Sequence, residues 1–331
     1  MQNIHIQKIG SAQTEAVWDI QQKAFRPLLE RYQDYDQSPA TEDVETLRQK
    51  IERPDTDSYL FWKEETPVGW VRVIRKGDCC KISALSVIPE FQNQGIAQEA
   101  LRQIEKRYPC TKKWVLDTIL QEKGNCHLYE KLGYTRAGSP YPVNERMTLI
   151  GYEKYPPLKL ETERLRLRPF SSGDAEDLFE ILRDRQTCYD DGGYEPYREL
   201  DDAFRKLTQE LSEDADRCAV ELKENGKMIG LIHLMPVNGR AVTCCEIGYI
   251  VHPDFRRRGY ASEAAEAVIR ECFRLDRFEM FLASIYEGND QSAGVLKKLG
   301  FQQEGIIRKA VRHRQYGIID MIRFYLEKEE L

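Results

Sequence analysis

The sequence predicts two consecutive α+β domains of one layered type, each a mixed sheet flanked by helices. Three observations support this fold class. The chain has 331 residues, more than one ordinary hydrophobic core needs and enough for two. A similar phrase begins at Pro89 and again at Pro253, 164 positions later (253 − 89). Segments with the patterns of strands and helices alternate in the same order around both phrases.

The composition is that of a globular protein, with 41% hydrophobic and 31% charged residues. No apolar run approaches the ~18 residues of a membrane helix, and the N-terminus lacks the pattern of a signal peptide. We therefore expect no membrane partner. The net charge of −6 argues against general nucleic-acid binding.

The nine cysteines are scattered along the chain, apart from the adjacent pairs Cys79-Cys80 and Cys244-Cys245. No C-x-x-C spacing occurs. This pattern predicts neither a zinc site nor a disulfide framework, and it favours a reducing cytoplasm as the location of the protein.

Each copy of the repeat opens with a polar turn that leads into an apolar strand around a glycine. The two versions are EETPVGWVRVI, with Gly69, and ENGKMIGLIHLM, with Gly230. The next strand reads KISALSVIP in the first half and CCEIGYIVHP in the second. A turn followed by two apolar runs predicts a hairpin in both halves.

The repeated phrase follows that hairpin as PEFQNQGIAQEAL or PDFRRRGYASEAA, and it leads into an amphipathic helix. A further strand comes next, and then LYEKLGY or VLKKLGF. Gly95 precedes Gly133 by 38 residues (133 − 95), and Gly259 precedes Gly300 by 41 (300 − 259). The repeated unit is too long for a solenoid, so the halves are two copies of one domain.

The boundary between the copies lies near residue 156. RMTLIGYEKY is typical of a closing strand, and Pro156-Pro157 cannot continue a ladder of hydrogen bonds. LKLETERLRLRPF then starts a new strand, and Ser171 or Ser172 caps the helix that follows. The predicted domains are 1–155 and 156–331.

A strand that passes through a glycine turn into a helix presents backbone N–H groups to an anion. Gly95 and Gly259 lack the Cβ that would block a phosphate, and Ala97 and Ala261 keep the next position small. For a single copy, a simple turn glycine is the better interpretation. Two copies, each followed by LG[YF], favour phosphate binding.

QNQGIA and RRRGYA resemble the pyrophosphate-binding motif of the GNAT superfamily of N-acetyltransferases, and LYEKLGY and VLKKLGF resemble its later helix–turn–strand signature. LETERLRLRPF, EIGYIVHPDFRRRGYASEA and NDQSAGVLKKLGF are similar to the Rim-type branch, which includes ribosomal-protein alanine N-acetyltransferases. The resemblance implies two tandem GNAT folds with mainly antiparallel sheets. It also implies acetyl-CoA without a metal, and direct attack on it by a primary amine of a small molecule or a protein N-terminus.

The resemblance also implies which residues meet CoA. A bulge in the strand before each loop, around 85–87 and 249–251, would offer a backbone N–H to the thioester oxygen. The arginine run is either a phosphate contact or a solvated basic stretch. The expected cofactor-binding residues are Val87, Gln92, Gln94, Gly95, Ile96 and Ala97 in the first half, and Val251, Arg256, Arg257, Arg258, Gly259, Tyr260, Ala261 and Asn289 in the second.

In the first half, Tyr129 stands where the superfamily places a general acid, four residues before Gly133. It is either a proton donor to the leaving thiolate or an aromatic residue of the core. A base is less evident, because subtracting 164 from Glu246 gives Ile82. Asp117 is either a base or an acid at a strand end.

The second half has a leucine at the tyrosine position and offers three other catalytic candidates. Ser292 would give a proton to the sulfur, and Asn289 would contact cofactor or substrate; either residue also suits a helix cap. Glu246 would act as a base, directly or through water, or it is only a surface acid.

Two alternative functions remain open at this point. One copy could be a CoA-binding scaffold that has lost catalysis, or the whole chain could be a non-enzymatic module that binds a protein or the ribosome. Fold and cofactor motif do not determine the acceptor amine or the oligomeric state.

Overall fold

The chain divides into two compact units, Met1–Pro156 and Pro157–Leu331. The structure is a computed structural model that describes residues 4–207 and 216–330. Each unit has its own mixed sheet, its own helices and its own buried apolar clusters.

The first unit is a seven-stranded sheet with four α-helices among its described residues. Its elements are β1 (His5–Ile9), α1 (Thr14–Tyr32), α2 (Val44–Glu52), β2 (Thr56–Lys63), β3 (Thr66–Lys76), β4 (Cys79–Val87), α3 (Ile96–Arg107), β5 (Lys113–Ile119), α4 (Lys123–Lys131), β6 (Thr135–Pro142) and β7 (Thr148–Lys154). The strand order is β1-β2-β3-β4-β5-β7-β6. β4 and β5 pair in parallel, and the other described pairs are antiparallel.

The second unit repeats this order and adds one edge strand. Its elements are β8 (Leu160–Glu161), β9 (Leu165–Arg168), α5 (Ala175–Leu182), α6 (Arg185–Asp191), α7 (Leu200–Lys206), β10 (Arg217–Leu222), β11 (Met228–Val237), β12 (Cys244–Val251), α8 (Tyr260–Arg274), β13 (Met280–Tyr286), α9 (Asp290–Lys298), β14 (Gln302–His313) and β15 (Gly317–Glu327). The order β14-β15-β13-β12-β11-β10-β9-β8 again has one parallel pair among the described strands, β12 with β13. The fold class predicted from the sequence is confirmed: both sheets are mixed and mainly antiparallel.

The helix after each glycine phrase packs one apolar face on its sheet. In α3 the buried residues Ile96, Ala100 and Ile104 recur every four positions, as expected for one face of a helix. In α8 the same pattern buries Ala264 and Val268. Full burial of a side chain such as Ile or Val contributes about 1.5–3 kcal/mol to stability. Packing of the apolar face therefore stabilises each helix more than intrinsic helix propensity does. None of the described helices is long and apolar enough to cross a membrane.

In each sheet the two parallel strands are hydrogen-bonded to each other over only part of their length. β12 pairs with β13 from Cys244 to Glu246, and β12 then continues to Val251 without further pairing to β13. β4 separates from β5 in the same way after Lys81. Because a ladder that stops early leaves two diverging strands, each sheet opens beside the glycine phrase.

The bulge expected before each loop is present only in the first unit. In β4, Ala84 has a φ of 52°, and the register with β3 shifts between Trp70 and Arg72. β12 instead pairs with β11 in continuous register from Val251 back to Glu246. The expectation of a bulge around 249–251 is therefore wrong, because β11 and β12 have equal residue counts across this stretch.

The extra residue in β4 changes the correspondence between the units. Glu246 and Lys81 each form the last parallel pair of their strand, so Lys81 is the structural counterpart of Glu246. Corresponding residues of the two units are 165 positions apart before the bulge (246 − 81) and 164 positions apart after it. Ile82, which simple subtraction selects, instead matches Ile247, and both isoleucines are buried.

Gly69 and Gly230 sit at close approaches of two backbones. A Cβ on Gly230 would collide with the carbonyl oxygen of Ile250, and one on Gly69 would collide with that of Ser86. The obstacle is main chain, which cannot rotate away. Glycine here lets the end of the central strand lie against its neighbour just before the loop.

We expect Gly230→Ala to lower the free energy of unfolding by about 1–3 kcal/mol, the usual cost of an overpacked site. Urea denaturation of the full chain measures this change. Gly305→Ala is the matched control, because no atom lies within 4 Å of its added Cβ. The control should change stability by no more than about 0.5 kcal/mol. Equal effects of the two substitutions would contradict the close-approach argument.

Candidate active site

The two glycine loops have the same backbone conformation. Gly95 and Gly259 are the N-caps of α3 and α8, with φ values of 77° and 83°. Asn93 and Arg257, two positions earlier, have φ values of 58° and 59°. The left-handed glycine turns the chain abruptly into the helix, whose first N–H groups lack partners within the helix. Both loops thus have the backbone form that suits an anion.

The side chain three positions before each glycine holds the end of the preceding strand. Gln92 donates from Nε2 to the carbonyl oxygen of Val87 at 2.9 Å. Arg256 donates from Nε to that of Val251 at 3.1 Å. The side chains of glutamine and arginine both carry N–H donors and are both long enough to reach this carbonyl oxygen, so the two residue types make the same contact.

The side chain directly before each glycine binds the carbonyl oxygen four positions earlier. Gln94 donates to Glu90 at 3.1 Å, and Arg258 donates to Asp254 at 2.8 Å. These side chains were predicted to contact phosphates, and the structure engages them within the loop itself. The loop is therefore stabilised by its own polar residues before any ligand is considered.

In the second unit, a cavity of about 490 Å³ adjoins the loop. Its walls come from α6, β11, β12, the loop, α8, β13 and α9. Arg257 lines the cavity and Arg258 does not. The predicted site residues that line it are Glu246, Val251, Arg256, Arg257, Gly259, Tyr260, Ala261, Asn289 and Ser292.

The start of α9 forms one wall of the cavity. Asn289 is the N-cap, and its Oδ1 accepts from the backbone N–H of Ser292 at 3.1 Å. The capping role weighed from the sequence is present, and both residues also line the cavity. Tyr249 on β12 donates from its hydroxyl to the carbonyl oxygen of Ser292 at 3.4 Å. Burial raises the pKa of Tyr249 to about 12, so the phenol keeps its proton at neutral pH.

Arg164, the residue before β9, braces the second loop. Its Nη1 donates to the carbonyl oxygen of Arg258 at 3.0 Å, and its guanidinium lies 4.5 Å from the ring centroid of Tyr260. An ion pair of 2.6 Å joins it to Glu263 in the first turn of α8. One side chain thus connects the loop, the first helical residue and the helix.

His233, like Asp190 and Asp191, is a cavity residue that the sequence patterns did not single out. It lies on β11 opposite Gly248, and a Cβ on Gly248 would collide with the imidazole ring. Burial lowers the pKa of His233, while the charges of Asp191 and Glu246 oppose that shift. A single histidine inside the apolar run MIGLIHLM was the available signal, but only the strand pairing places it beside Glu246.

Three carboxylates line the cavity: Asp190 and Asp191 from the end of α6, and Glu246 from β12. Asp190 accepts from Gln186, and Asp191 accepts from the hydroxyl of Tyr194. Within the described residues, none of the three forms an ion pair with a cationic side chain. This side of the cavity is therefore suited to a positively charged group.

Tyr129 of the first unit is in the hydrophobic core. Only 7% of it is exposed, and its ring packs against those of Tyr134 and Tyr152. Burial raises the pKa of the Tyr129 phenol well above its ordinary value. Both observations favour the core role over that of a proton donor.

The rest of the first site also differs from the second. Lys81, at the position of Glu246, forms an ion pair of 2.6 Å with Asp117. The side chains of Val87 and Ile96 are buried in the core, which leaves their backbone groups for any ligand contact. Ala97 is only partly buried.

Comparison with known families identifies both units. The sequence model of the acetyltransferase (GNAT) domain matches residues 164–302, and that of the acetyltransferase (GNAT) family matches residues 14–134. The chain therefore belongs to the GNAT acetyltransferases. It is an N-acetyltransferase built from two GNAT domains.

Related proteins of bacilli match about half of the chain and most of their own length. The uncharacterized N-acetyltransferase YoaA of Bacillus subtilis is 32% identical over 159 residues, which are 45% of this chain and 86% of YoaA. The uncharacterized N-acetyltransferase p20 of Bacillus licheniformis is 30% identical over 180 residues, 52% of this chain and 97% of p20.

Solved structures also match about half of the chain. A GNAT-family acetyltransferase from Bacillus anthracis has 24% identity and a TM-score of 0.47, covering 52% of this chain and all of that one. The ribosomal-protein-S5-alanine acetyltransferase from Vibrio fischeri has 22% identity and a TM-score of 0.44, covering 52% of this chain and 98% of that one.

We expect Arg164→Ala to loosen the second glycine loop, because three contacts of the guanidinium are lost. Amide hydrogen exchange across residues 253–259 should become faster by on the order of tenfold. Arg166→Ala is the control: it removes the same charge two residues further on, inside β9, but its partners are Glu161 and Glu221 rather than the loop. Unchanged exchange in Arg164→Ala would show that the loop does not depend on this brace.

Proposed function

We propose that the second unit transfers the acetyl group of acetyl-CoA to a primary amine by direct attack within a ternary complex. The observation that carries this proposal is the cavity, which brings the glycine loop together with Glu246, Asn289 and Ser292. An anion-binding loop and candidate proton-transfer groups in one space are what the reaction requires.

The glycine loop fits the pyrophosphate of CoA. Gly259 is left-handed, so an L side chain there is strained, and Ala261 keeps the next position small. The first N–H groups of α8 and the positive end of its dipole favour phosphate oxygens. We assign the backbone from Val251 to Ala261, with the side chain of Arg257, to this contact. In the first unit the corresponding contact is from Val87 to Ala97.

The reaction moves two protons from the acceptor. An ammonium group first loses one proton, since it has no lone pair with which to attack. Its nitrogen then forms a bond to the thioester carbon, the carbon–sulfur bond breaks, and the nitrogen loses its second proton. We assign Glu246 to removal of the first proton, directly, through water or through a neighbouring side chain. We assign Ser292 to protonation of the departing sulfur. We assign Asn289 to positioning Ser292 and to contacting the cofactor.

The first unit is proposed to bind CoA as a scaffold or to act with a different base. Lys81 in place of Glu246, its ion pair with Asp117 and the burial of Tyr129 support the scaffold role. The intact glycine loop supports CoA binding in either case. On this basis the predicted domains 1–155 and 156–331 have the same fold and different tasks.

The acceptor is proposed to be a cationic amine. The three carboxylates of the cavity suit an ammonium group. Aminoglycosides, polyamines, amino acids and protein N-termini all present one. A reducing cytoplasm, favoured by the cysteine pattern, is the proposed setting.

A screen of these four amine classes with the full chain, following release of CoA thiol from acetyl-CoA, tests the activity. With an acceptor that turns over, Glu246→Gln and Ser292→Ala should each lower kcat by ~10²–10⁴-fold, the usual cost of losing a proton-transfer group. KM for acetyl-CoA should change far less.

Tyr129→Phe is the matched variant from the first unit, and it should leave this reaction nearly unchanged. The reverse pattern, with Tyr129→Phe nearly inactive and Glu246→Gln close to normal, would place the chemistry in the first unit. Absence of turnover with every amine would favour a binding module.

We expect calorimetry with CoA to give two sites on the unaltered chain and one site on either Gly95→Val or Gly259→Val. A β-branched residue is strongly disfavoured at the left-handed φ of these loops. Two sites in either variant would show that the loop concerned does not hold the phosphates.

A further inference from the structure

His233 is a titratable side chain of the second unit's cavity to which the chemistry above gives no role. Its ring lies in the cavity wall with Glu246 and the start of α9. Among the described residues, neither ring nitrogen forms a hydrogen bond. We propose that His233 takes the first proton from the ammonium group of the acceptor, so that Glu246 acts in this step through the ring of His233 and not directly. This inference rests on the proposed acetyl transfer in the second unit.

The ring packs against the backbone of the neighbouring strand. His233 faces Gly248 across the β11–β12 ladder, and the imidazole occupies the space of the missing Cβ. The next residue of β12 is Tyr249, whose hydroxyl reaches the start of α9. The ring of His233 therefore packs against β12, the strand that leads directly to the glycine loop. A base packed against that strand lies close to a thioester bound beside the loop.

The charges around His233 suit a base that works near neutral pH. Burial lowers its pKa, which keeps the ring neutral and able to accept a proton. Asp191 of α6 and Glu246 of β12 oppose this shift, whereas Arg217 of β10 and Lys206 of α7 reinforce it. Once the ring is protonated, the two carboxylates stabilise the imidazolium.

Histidine is the side chain whose ordinary pKa lies closest to neutral pH. A base whose pKa lies near the working pH transfers protons most efficiently. Glu246 then acts through His233 by stabilising its charged form.

The proton balance closes in this scheme. His233 takes one proton of the ammonium group, and the nitrogen attacks the thioester carbon. The carbon–sulfur bond breaks, and the second proton of the nitrogen passes to the sulfur through Ser292. The products are the amide, CoA thiol and one proton, which the imidazolium returns to solvent.

The test measures kcat against pH for the full chain, with saturating acetyl-CoA and an amine from the four classes that turns over. In the unaltered chain, kcat should fall as the pH is lowered through the pKa of His233, because imidazolium cannot accept a proton. His233→Gln should lower kcat by ~10²–10⁴-fold. It should also remove the fall in kcat at low pH, which is the acid limb of the pH profile. Glu246→Gln should retain the limb and move it to lower pH, since it removes a charge that raises the pKa of His233.

His127→Gln is the matched control, because this exposed histidine lies in the first unit; it should change neither kcat nor the acid limb. Gly248→Ala keeps the histidine and displaces its ring, so its acid limb should also be lost. Thermal midpoints of all variants check that they fold. Diethyl pyrocarbonate, with peptide mapping, provides a readout independent of turnover: it should modify His233 at neutral pH, and acetyl-CoA should slow that modification.

Three results would overturn the assignment. An unreactive His233 would show that the ring is not an open, neutral base. Turnover in His233→Gln with an unchanged acid limb would reject the inference and leave acetyl transfer in the second unit intact. Absence of turnover in the unaltered chain would reject the proposed function and this inference together.

Discussion

The separation of two parallel strands is the constraint on which the second unit's site depends. β12 and β13 pair only as far as Glu246, and beyond it β12 pairs with β11 alone on its way to the glycine loop. The edge of β12 that faced β13 then has unpaired backbone groups and a gap beside it. The loop, the start of α9 and the carboxyl end of α6 all border that gap. A fully paired sheet would have no room for a thioester between its strands.

The sequence was sufficient to predict the repeat, the fold class and the two loops, because these depend on local patterns. Glycine, a following amphipathic helix and constant spacing are all readable along the chain. Register is different, since one inserted residue around Ala84 changes which side chains correspond without altering the apolar pattern. The shift was visible in one place: the adjacent cysteine pairs lie 165 positions apart (244 − 79), not 164.

Side chains whose role depends on a neighbouring strand were the hardest to predict. His233 gains its significance only from Gly248 opposite and from Glu246 beside it, and both lie on the next strand. Tyr129 shows the converse. Its spacing in the motif suggested a proton donor, and the packing of two other tyrosines around it favours the core. Motif position alone did not distinguish a buried ring from an available one.

The contact between His233 and Gly248 ties the place of the imidazole to a residue on the next strand. A histidine on β11 can hold this rotamer only if position 248 is glycine, because any other residue adds a Cβ in the space of the ring. A side chain gained at position 248 would therefore move the imidazole to another rotamer even if the histidine were kept. The two positions, 15 apart in the chain (248 − 233), thus decide together where the ring lies.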